Sequence, residues 1–199
     1  MSEIAKLIEE VVRLRLAGEL KGLGFKKHSR TFLRQRSGAT EIVNVQASQG
    51  NVGGTGKFTI NVGIYLPGAA ARLGTVAHGT YPKEHESTLR QRIGSLMPMH
   101  DDHWWHVDTS TDLTQLAAEV AITVTTLAIP WLDSALNPDQ LLGIAAACSD
   151  DLTVAAIALE LGQADIARSR VESAITTRPF AEAHFRRFAQ RNQIPLRLP

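Results

Sequence analysis

The first segment of the chain carries apolar residues at the spacing of one face of an α-helix. The positions that form this stripe are Ile4, Leu7, Ile8, Val11 and Leu14. Ser2 precedes the stripe and is of a type that caps helix N-termini. Three glycines between positions 18 and 24 interrupt the pattern. The sequence therefore predicts a helix that begins after Ser2 and ends among these glycines.

Alternation of apolar and polar residues then predicts a series of β-strands. The strand-like segments are 25–28, 31–36, 42–48 and 58–65. A glycine-rich loop over residues 50–56 joins the last two. Val43 and Val45 point to one face of their strand, and Asn44 and Gln46 point to the other. We predict an antiparallel meander with one apolar face that the first helix covers, which is an α+β fold.

The middle of the chain predicts a long connection and a second long helix. Residues 66–88 form the connection, segment 89–96 is predicted to be a strand, and 98–107 holds a short edge strand. Apolar residues from Leu113 to Leu127 keep the helical period, so they predict a helix that Pro130 ends or kinks.

The last third of the chain predicts only helices. Asn137 followed by Pro138 is a typical helix start. Further helices are predicted from residue 150 or 151 to 162, over 164–176 and from Pro179 onward. We therefore predict an α+β domain over residues 1–136, followed by a helical, hairpin-like extension over residues 137–199.

Composition narrows the protein class without naming a function. Among 199 residues, 44% are hydrophobic and 21% charged, the net charge is +1, and there is one cysteine. These values exclude a disordered chain, a collagen and a disulfide scaffold, and one cysteine fits a reducing compartment. The apolar window Leu116–Leu132 contains Glu119 and Pro130, so we predict a core helix, a cytoplasmic location and no membrane partner.

The polar face of the predicted sheet is the strongest candidate binding surface. Side-chain amides both donate and accept hydrogen bonds, which suits recognition of uncharged groups. Arginines could join the amides as further contacts, and tryptophans could form an aromatic wall beside them. The predicted binding residues are Arg34, Asn44, Gln46, Asn61, Tyr65, Arg90, Arg92, Trp104 and Trp105. The alternative is that the long connection or the C-terminal helices cover this face and satisfy its polar groups.

Four other features give weaker indications of a function. His100, His103 and His106 are the candidate metal ligands, but on a strand His103 would face away from the other two. Segment Lys21–Arg36 is basic and offers a hairpin that could bind nucleic acid. The loop at Gly56 resembles a phosphate-binding loop only in part, because a strand follows it. Cys148 is predicted to be a structural cysteine.

Five blocks of sequence, taken in order, resemble one known family. The blocks are Leu20–Lys27 with Arg30–Phe32, Val43–Gln46, Phe58–Tyr65, Arg90–Gly94 and Trp104–Trp105. Over residues 16–136 the chain resembles the bacterial family of domains of unknown function numbered 4304. The resemblance implies a small cytoplasmic bacterial α+β protein with no assigned reaction, and it transfers no catalytic residue.

The expected function is therefore a non-enzymatic binding or interaction module that uses the polar face of the sheet. The expected partner is a protein or a small-molecule ligand, and no cofactor is predicted. A toxin-binding immunity protein is one subclass suggested by analogy alone. The alternatives are an enzyme that uses Arg34, Arg92, Tyr65 and the histidines near His100, or a nucleic-acid binder that uses the basic hairpin.

Overall fold

A long N-terminal helix covers one face of the sheet, as the apolar stripe predicts. The computed structural model describes residues 2–51 and 53–197. The helix consists of α1 (Glu3–Val11), a π-helical turn (Val12–Leu16) and α2 (Ala17–Gly22). The Ser2 hydroxyl caps it by accepting a hydrogen bond from the Ala5 amide at 3.2 Å. The wider π turn shifts the phase of the stripe, so Leu16 is buried while Leu14 is 40% exposed.

Six strands of the described chain form one antiparallel sheet, which confirms the predicted meander. The strands are β1 (Lys26–His28), β2 (Thr31–Arg36), β3 (Ala39–Ala47), β4 (Thr55–Tyr65), β5 (Leu89–Arg92) and β6 (Trp105–Asp108). They lie in the order β1–β2–β3–β4–β5, and β6 pairs with the N-terminal part of β4. The strand predicted over 89–96 ends at Arg92, because a short helix, α4 (Ile93–Leu96), replaces its second half.

The second long helix packs beside the first on the apolar face of the sheet. It consists of α5 (Leu113–Thr123), a π-helical turn (Val124–Ala128) and α6 (Ile129–Ala135). Pro130 does not end this helix. Proline has no N–H to donate to the preceding turn, and the π turn just before it absorbs the irregularity. Leu116, Val120 and Leu132 of this helix are buried in the core.

The helix over Leu113–Ala135 is also long and apolar enough to cross a membrane. This statement concerns its length and composition only, and a core helix of a soluble protein meets the same criterion. Its buried residues belong to the core cluster that includes the sheet and the N-terminal helix.

The C-terminal helices continue the same apolar core. They are α7 (Pro138–Cys148), α8 (Asp151–Glu160), α9 (Ala164–Thr177) and α10 (Glu182–Arg191). Every residue of α8 from Leu152 to Ala158 is buried. This helix packs against α3 (Pro67–Leu73), which follows β4 directly. The buried cluster therefore runs without a break from Ile4 to Ile194, across the boundary predicted near residue 137.

A buried ion cluster ties the sheet edge to α6. Glu41 lies on the apolar face of β3 with a side chain that is 0% exposed. The guanidinium groups of Arg34 and Arg36 both donate to its carboxylate. Asp133 of α6 also pairs with these arginines, but its side chain is 50% exposed. The cluster thus contains one buried and one exposed carboxylate that share the same two arginines.

We expect the substitution Glu41→Gln to lower the free energy of unfolding by about 3–5 kcal/mol, because it leaves two partly buried cations without their buried counter-ion. Urea denaturation measures this loss. The matched control, Asp133→Asn, should cost less than about 1 kcal/mol, since exposed ion pairs contribute little. Equal losses in the two variants would contradict the structural role assigned to Glu41.

Candidate functional site

One row of side chains crosses the sheet on the face opposite the two long helices. His28 of β1 lies opposite Thr31 of β2, and Thr31 lies opposite Asn44 of β3. Asn44 lies opposite Asn61 of β4, which lies opposite Arg92 of β5. Residues that are directly opposite in neighbouring strands share a face of the sheet. The register therefore lines up five polar side chains on one surface.

The long connection covers the neighbouring part of this face. Leu33, Ile42 and Tyr65 form a small apolar cluster there, with Ala70 of α3 and Ala77 packed on it. The Tyr65 hydroxyl accepts a hydrogen bond from the Ala77 amide at 3.0 Å. Tyr65 was predicted to bind a ligand, but it is buried beneath the connection, and its hydroxyl holds that connection in place.

Residues 74–88, here called the covering segment, are fixed by local bonds. The absence of a Cβ at Gly63 lets the Ser87 side chain lie directly against β4. The carboxylate of Glu86 accepts from the backbone amides of Lys83 (2.7 Å) and His78 (3.1 Å). These two bonds hold the pKa of Glu86 below its usual range.

A cleft of about 530 Å³ lies between the polar row and the covering segment. Its floor comes from β1, β2 and β3, and its wall comes from residues 81–85. The residues that line it are His28, Thr31, Leu33, Asn44, Gln46, Tyr81, Pro82, Lys83, Glu84, His85 and Arg90. The rings of His28 and Tyr81 meet with centroids 4.6 Å apart. Arg90 is held by two bonds to Glu84, at 2.8 and 3.1 Å.

Two amide side chains in the floor keep unused hydrogen-bonding groups. Asn44 donates through Nδ2 to the Thr31 hydroxyl at 2.8 Å, and Gln46 accepts through Oε1 from Asn61 Nδ2 at 2.7 Å. These bonds leave Asn44 Oδ1 as an acceptor and Gln46 Nε2 as a donor without partners in the described part of the chain. We call Asn44 and Gln46 the amide pair.

The row ends in a charged cluster around Trp104. Arg92 donates to one carboxylate oxygen of Asp102 at 2.6 Å, and the Trp104 indole N–H donates to the other at 2.8 Å. The hydrogen bonds from Arg92 and Trp104, together with the charge of Arg92, lower the pKa of Asp102. Lys57 Nζ and the Arg92 guanidinium lie 5.0 and 5.3 Å from the centre of the Trp104 ring. The Arg92 Nε–H also donates weakly to Asn61 at 3.4 Å.

Two predicted binding residues lie on the opposite face and need correction. Arg34 belongs to the buried ion cluster with Glu41, because its position in β2 is out of phase with Thr31 and Leu33. Trp105 follows Trp104 directly, so the two side chains point to opposite faces. Trp105 is 3% exposed and donates to Glu119 at 2.7 Å. It is a core residue, and of the two tryptophans Trp104 is the one on the polar face.

The three candidate metal ligands do not converge. A ring nitrogen of His100 lies 2.8 Å from the Ser95 carbonyl, while His103 packs edge-on against Trp105. His106 is exposed opposite Lys57. No group of three or more His, Cys, Asp or Glu side chains within residues 2–51 and 53–197 could hold a metal ion.

The basic hairpin has much of its charge paired within the protein. Lys27 and Arg30 both bond to Glu9 of α1, at 3.3 and 2.7 Å. Arg34 and Arg36 bond to Glu41. These internal pairs reduce the charge that the hairpin could offer to phosphates.

The glycine loop and Cys148 have structural surroundings. The Asn51 side chain bonds to both the N–H and the C=O of Lys57, which closes the loop before β4. Val52 of this loop lies outside the described residues. Cys148 is half-buried, and burial raises the pKa of its thiol.

The sequence analysis did not identify the residues that form the wall of the cleft, nor His28 in its floor. Tyr81, Lys83 and His85 come from the long connection, whose path over the sheet has no periodic signal. His28 lies in a strand of three residues, which is too short to show alternation. The available signal was the length of the connection, since long loops in compact domains are often functional.

We expect the covering segment to loosen as the pH falls. The lowered pKa of Glu86 means that its bonds stabilise the segment above the usual glutamate pKa and are lost as pH falls through the lowered value. The protection of the His78 and Lys83 amides against hydrogen exchange should therefore decrease over that range in NMR spectra. In Glu86→Leu, which has no acceptor, this protection should be low and independent of pH. The Leu66 amide, which donates to Thr88 Oγ1, is the control. An unchanged protection of His78 and Lys83 in both proteins would contradict the assignment.

Comparison with known proteins gives one match. A search of curated proteins and a search of solved structures each found nothing similar to the chain. The model of the family described as "Domain of unknown function (DUF4304)" matches residues 16–134. This range contains the whole sheet, the amide pair and the cluster at Trp104, and it ends just before α7. The match confirms the expected resemblance: the chain belongs to the DUF4304 family.

Proposed function

We propose that this protein is a non-enzymatic binding module whose ligand presents an amide group to Asn44 and Gln46. The observation that supports this most directly is the pair of unused groups in the floor of the cleft. One acceptor and one donor, two residues apart on β3, complement the N–H and C=O of an amide. Polar groups placed in this way inside a concave site determine the orientation of a ligand.

The surroundings of the amide pair favour binding without large rearrangement. A cleft of about 530 Å³ lies within the range of ligand sites, and its floor is a paired sheet. Asn44 is fixed by Thr31, and Gln46 is fixed by Asn61, so both side chains already have defined positions. Preorganised groups on rigid elements lose less conformational entropy on binding.

The geometry gives less support to the enzymatic alternative. Arg34 and Tyr65, which that hypothesis would use, lie on opposite faces of the sheet. The Tyr65 hydroxyl is already bonded to Ala77. Within the binding proposal, the partner is a protein or small molecule of a bacterial cytoplasm, and a toxin recognised by an immunity protein is one such partner.

The test is an NMR titration with N-acetylglycinamide, a small probe that carries amides and no charge. We expect saturable shifts of the side-chain amide resonances of Asn44 and Gln46, because each side chain gains a hydrogen-bond partner. The variant Asn44→Leu keeps a similar volume but removes the acceptor, so the affinity for the probe, read from the side-chain amide resonances of Gln46 that remain, should fall about fivefold or more, as expected for one lost hydrogen bond.

The matched control is Gln35→Leu, on an exposed position of the same sheet outside the cleft. It should bind the probe as the unchanged protein does. The proposal fails if the probe shifts resonances elsewhere, or if Asn44→Leu and Gln35→Leu bind it equally.

A further inference from the structure

We propose that the ligand is an acidic polypeptide segment, and that one of its carboxylates replaces Asp102 between Arg92 and Trp104. This inference rests on the proposed function, because it assigns the class of ligand to the same face of the sheet. It goes further by locating a second recognition position beside the amide pair. We call the space between Arg92 and Trp104 the carboxylate position.

The contacts of Asp102 define the chemistry of that position. One of its oxygens accepts from Arg92 and the other accepts from the Trp104 indole, at 2.6 and 2.8 Å. Two N–H donors that bond to two different oxygens of the same group are complementary to a carboxylate. The Asp102 side chain is 60% exposed and belongs to the loop between α4 and β6. Rotation of this side chain into solvent would leave both donors free for a carboxylate from another molecule.

The charge around the cleft and the carboxylate position favours an acidic ligand. The cations on this surface are Lys57, Lys83, Arg90 and Arg92. The carboxylates beside them are Glu84, Glu86 and Asp102. Four cations and three carboxylates leave one positive charge in excess on this surface, although the whole chain carries a net charge of only +1. Complementary charge accelerates and orients association.

The distance between the two recognition positions favours a polypeptide. Asn44 and Arg92 are separated by two strand spacings, which is about 10 Å. An extended chain rises about 3.3 Å per residue, so an amide on Asn44 and a carboxylate at Arg92 lie about three residues apart. Asn61 lies between them and already bonds to both Gln46 and Arg92. A ligand segment would therefore contact Asn44 and Arg92 directly and pass over Asn61, which is 4% exposed.

Single-stranded nucleic acid, the other anionic partner, fits this surface less well. Its bases bind proteins by stacking on free aromatic faces. The Trp104 ring is already in contact with the cations of Lys57 and Arg92, and Tyr81 is in contact with His28. These contacts leave less ring surface for stacking, whereas a carboxylate uses the donors and not the rings.

The experiment follows the indole N–H resonance of Trp104 while capped hexaglutamate or capped hexaglutamine is added to the full chain. We expect hexaglutamate to shift this resonance in a saturable way, because the acceptor of the indole changes. Hexaglutamine should leave it in place. The indole of Trp105, which donates to Glu119 in the core, is an internal control that should not move.

Three variants separate the proposal from a general charge effect. Asp102→Asn removes the competing carboxylate and keeps an acceptor for Trp104, so hexaglutamate should bind up to about fivefold more tightly. Arg92→Gln should abolish the shift of the indole. Arg13→Gln removes one positive charge from the π-helical turn after α1, in the helix that covers the opposite face of the sheet, and should bind as the unchanged protein does.

The proposal is overturned if Asp102→Asn binds hexaglutamate no more tightly than the unchanged protein, or if Arg92→Gln binds it equally well. A hexamer of deoxythymidine that shifts the Trp104 indole at lower concentration than hexaglutamate would identify a nucleic acid as the partner and would also overturn it. If hexaglutamate fails while N-acetylglycinamide still shifts the amide pair, the acidic ligand is refuted and the binding module stands. Failure of both probes refutes both.

Discussion

The pairing register of β3 determines most of this structure. β3 lies between β2 and β4, and its residues alternate between the two faces. Val43 and Val45 enter the core beneath the long helices, while Asn44 and Gln46 enter the cleft. A shift by one residue would exchange the two sets and bury the amides among apolar side chains. The burial of the valines therefore fixes the positions of the recognition groups.

The side chains on the face opposite the long helices also determine how much of that face the covering segment buries. Leu33, Ile42 and Tyr65 are apolar or largely so, and α3 and the segment after it bury them. The neighbouring row of Thr31, Asn44 and Asn61 is polar, and its side chains form some of their hydrogen bonds with one another. Because these side chains are not apolar, leaving the row uncovered costs no hydrophobic free energy. The cleft lies at the boundary between these two rows. Its shape is thus a consequence of the same alternation that builds the core.

The sequence predicts the regular parts of the fold well because each of them carries a periodic signal. The stripe of α1, the alternation of β3 and β4 and the Asn137 cap all reappear in the structure. The site is predicted only in part. The positions of Asn44 and Gln46 follow from alternation along β3. The face on which Arg34 lies depends on the pairing register of β2, and the face on which Trp105 lies depends on the phase of the short strand β6. The path of the covering segment depends on tertiary contacts such as Ser87 against Gly63, which no local pattern encodes.

The contacts of Asp102 explain how a charged binding position can exist in the free protein without a large penalty. Arg92 is partly buried, and an unpaired cation there would cost desolvation energy. Asp102 pairs with it from an exposed loop, so the free protein keeps the cation satisfied. Replacement of this carboxylate by one from a partner exchanges equivalent bonds, and the net gain must come from the neighbouring amide contacts. Affinity on this surface therefore depends on the amide pair, whereas the carboxylate position selects which ligand is accepted.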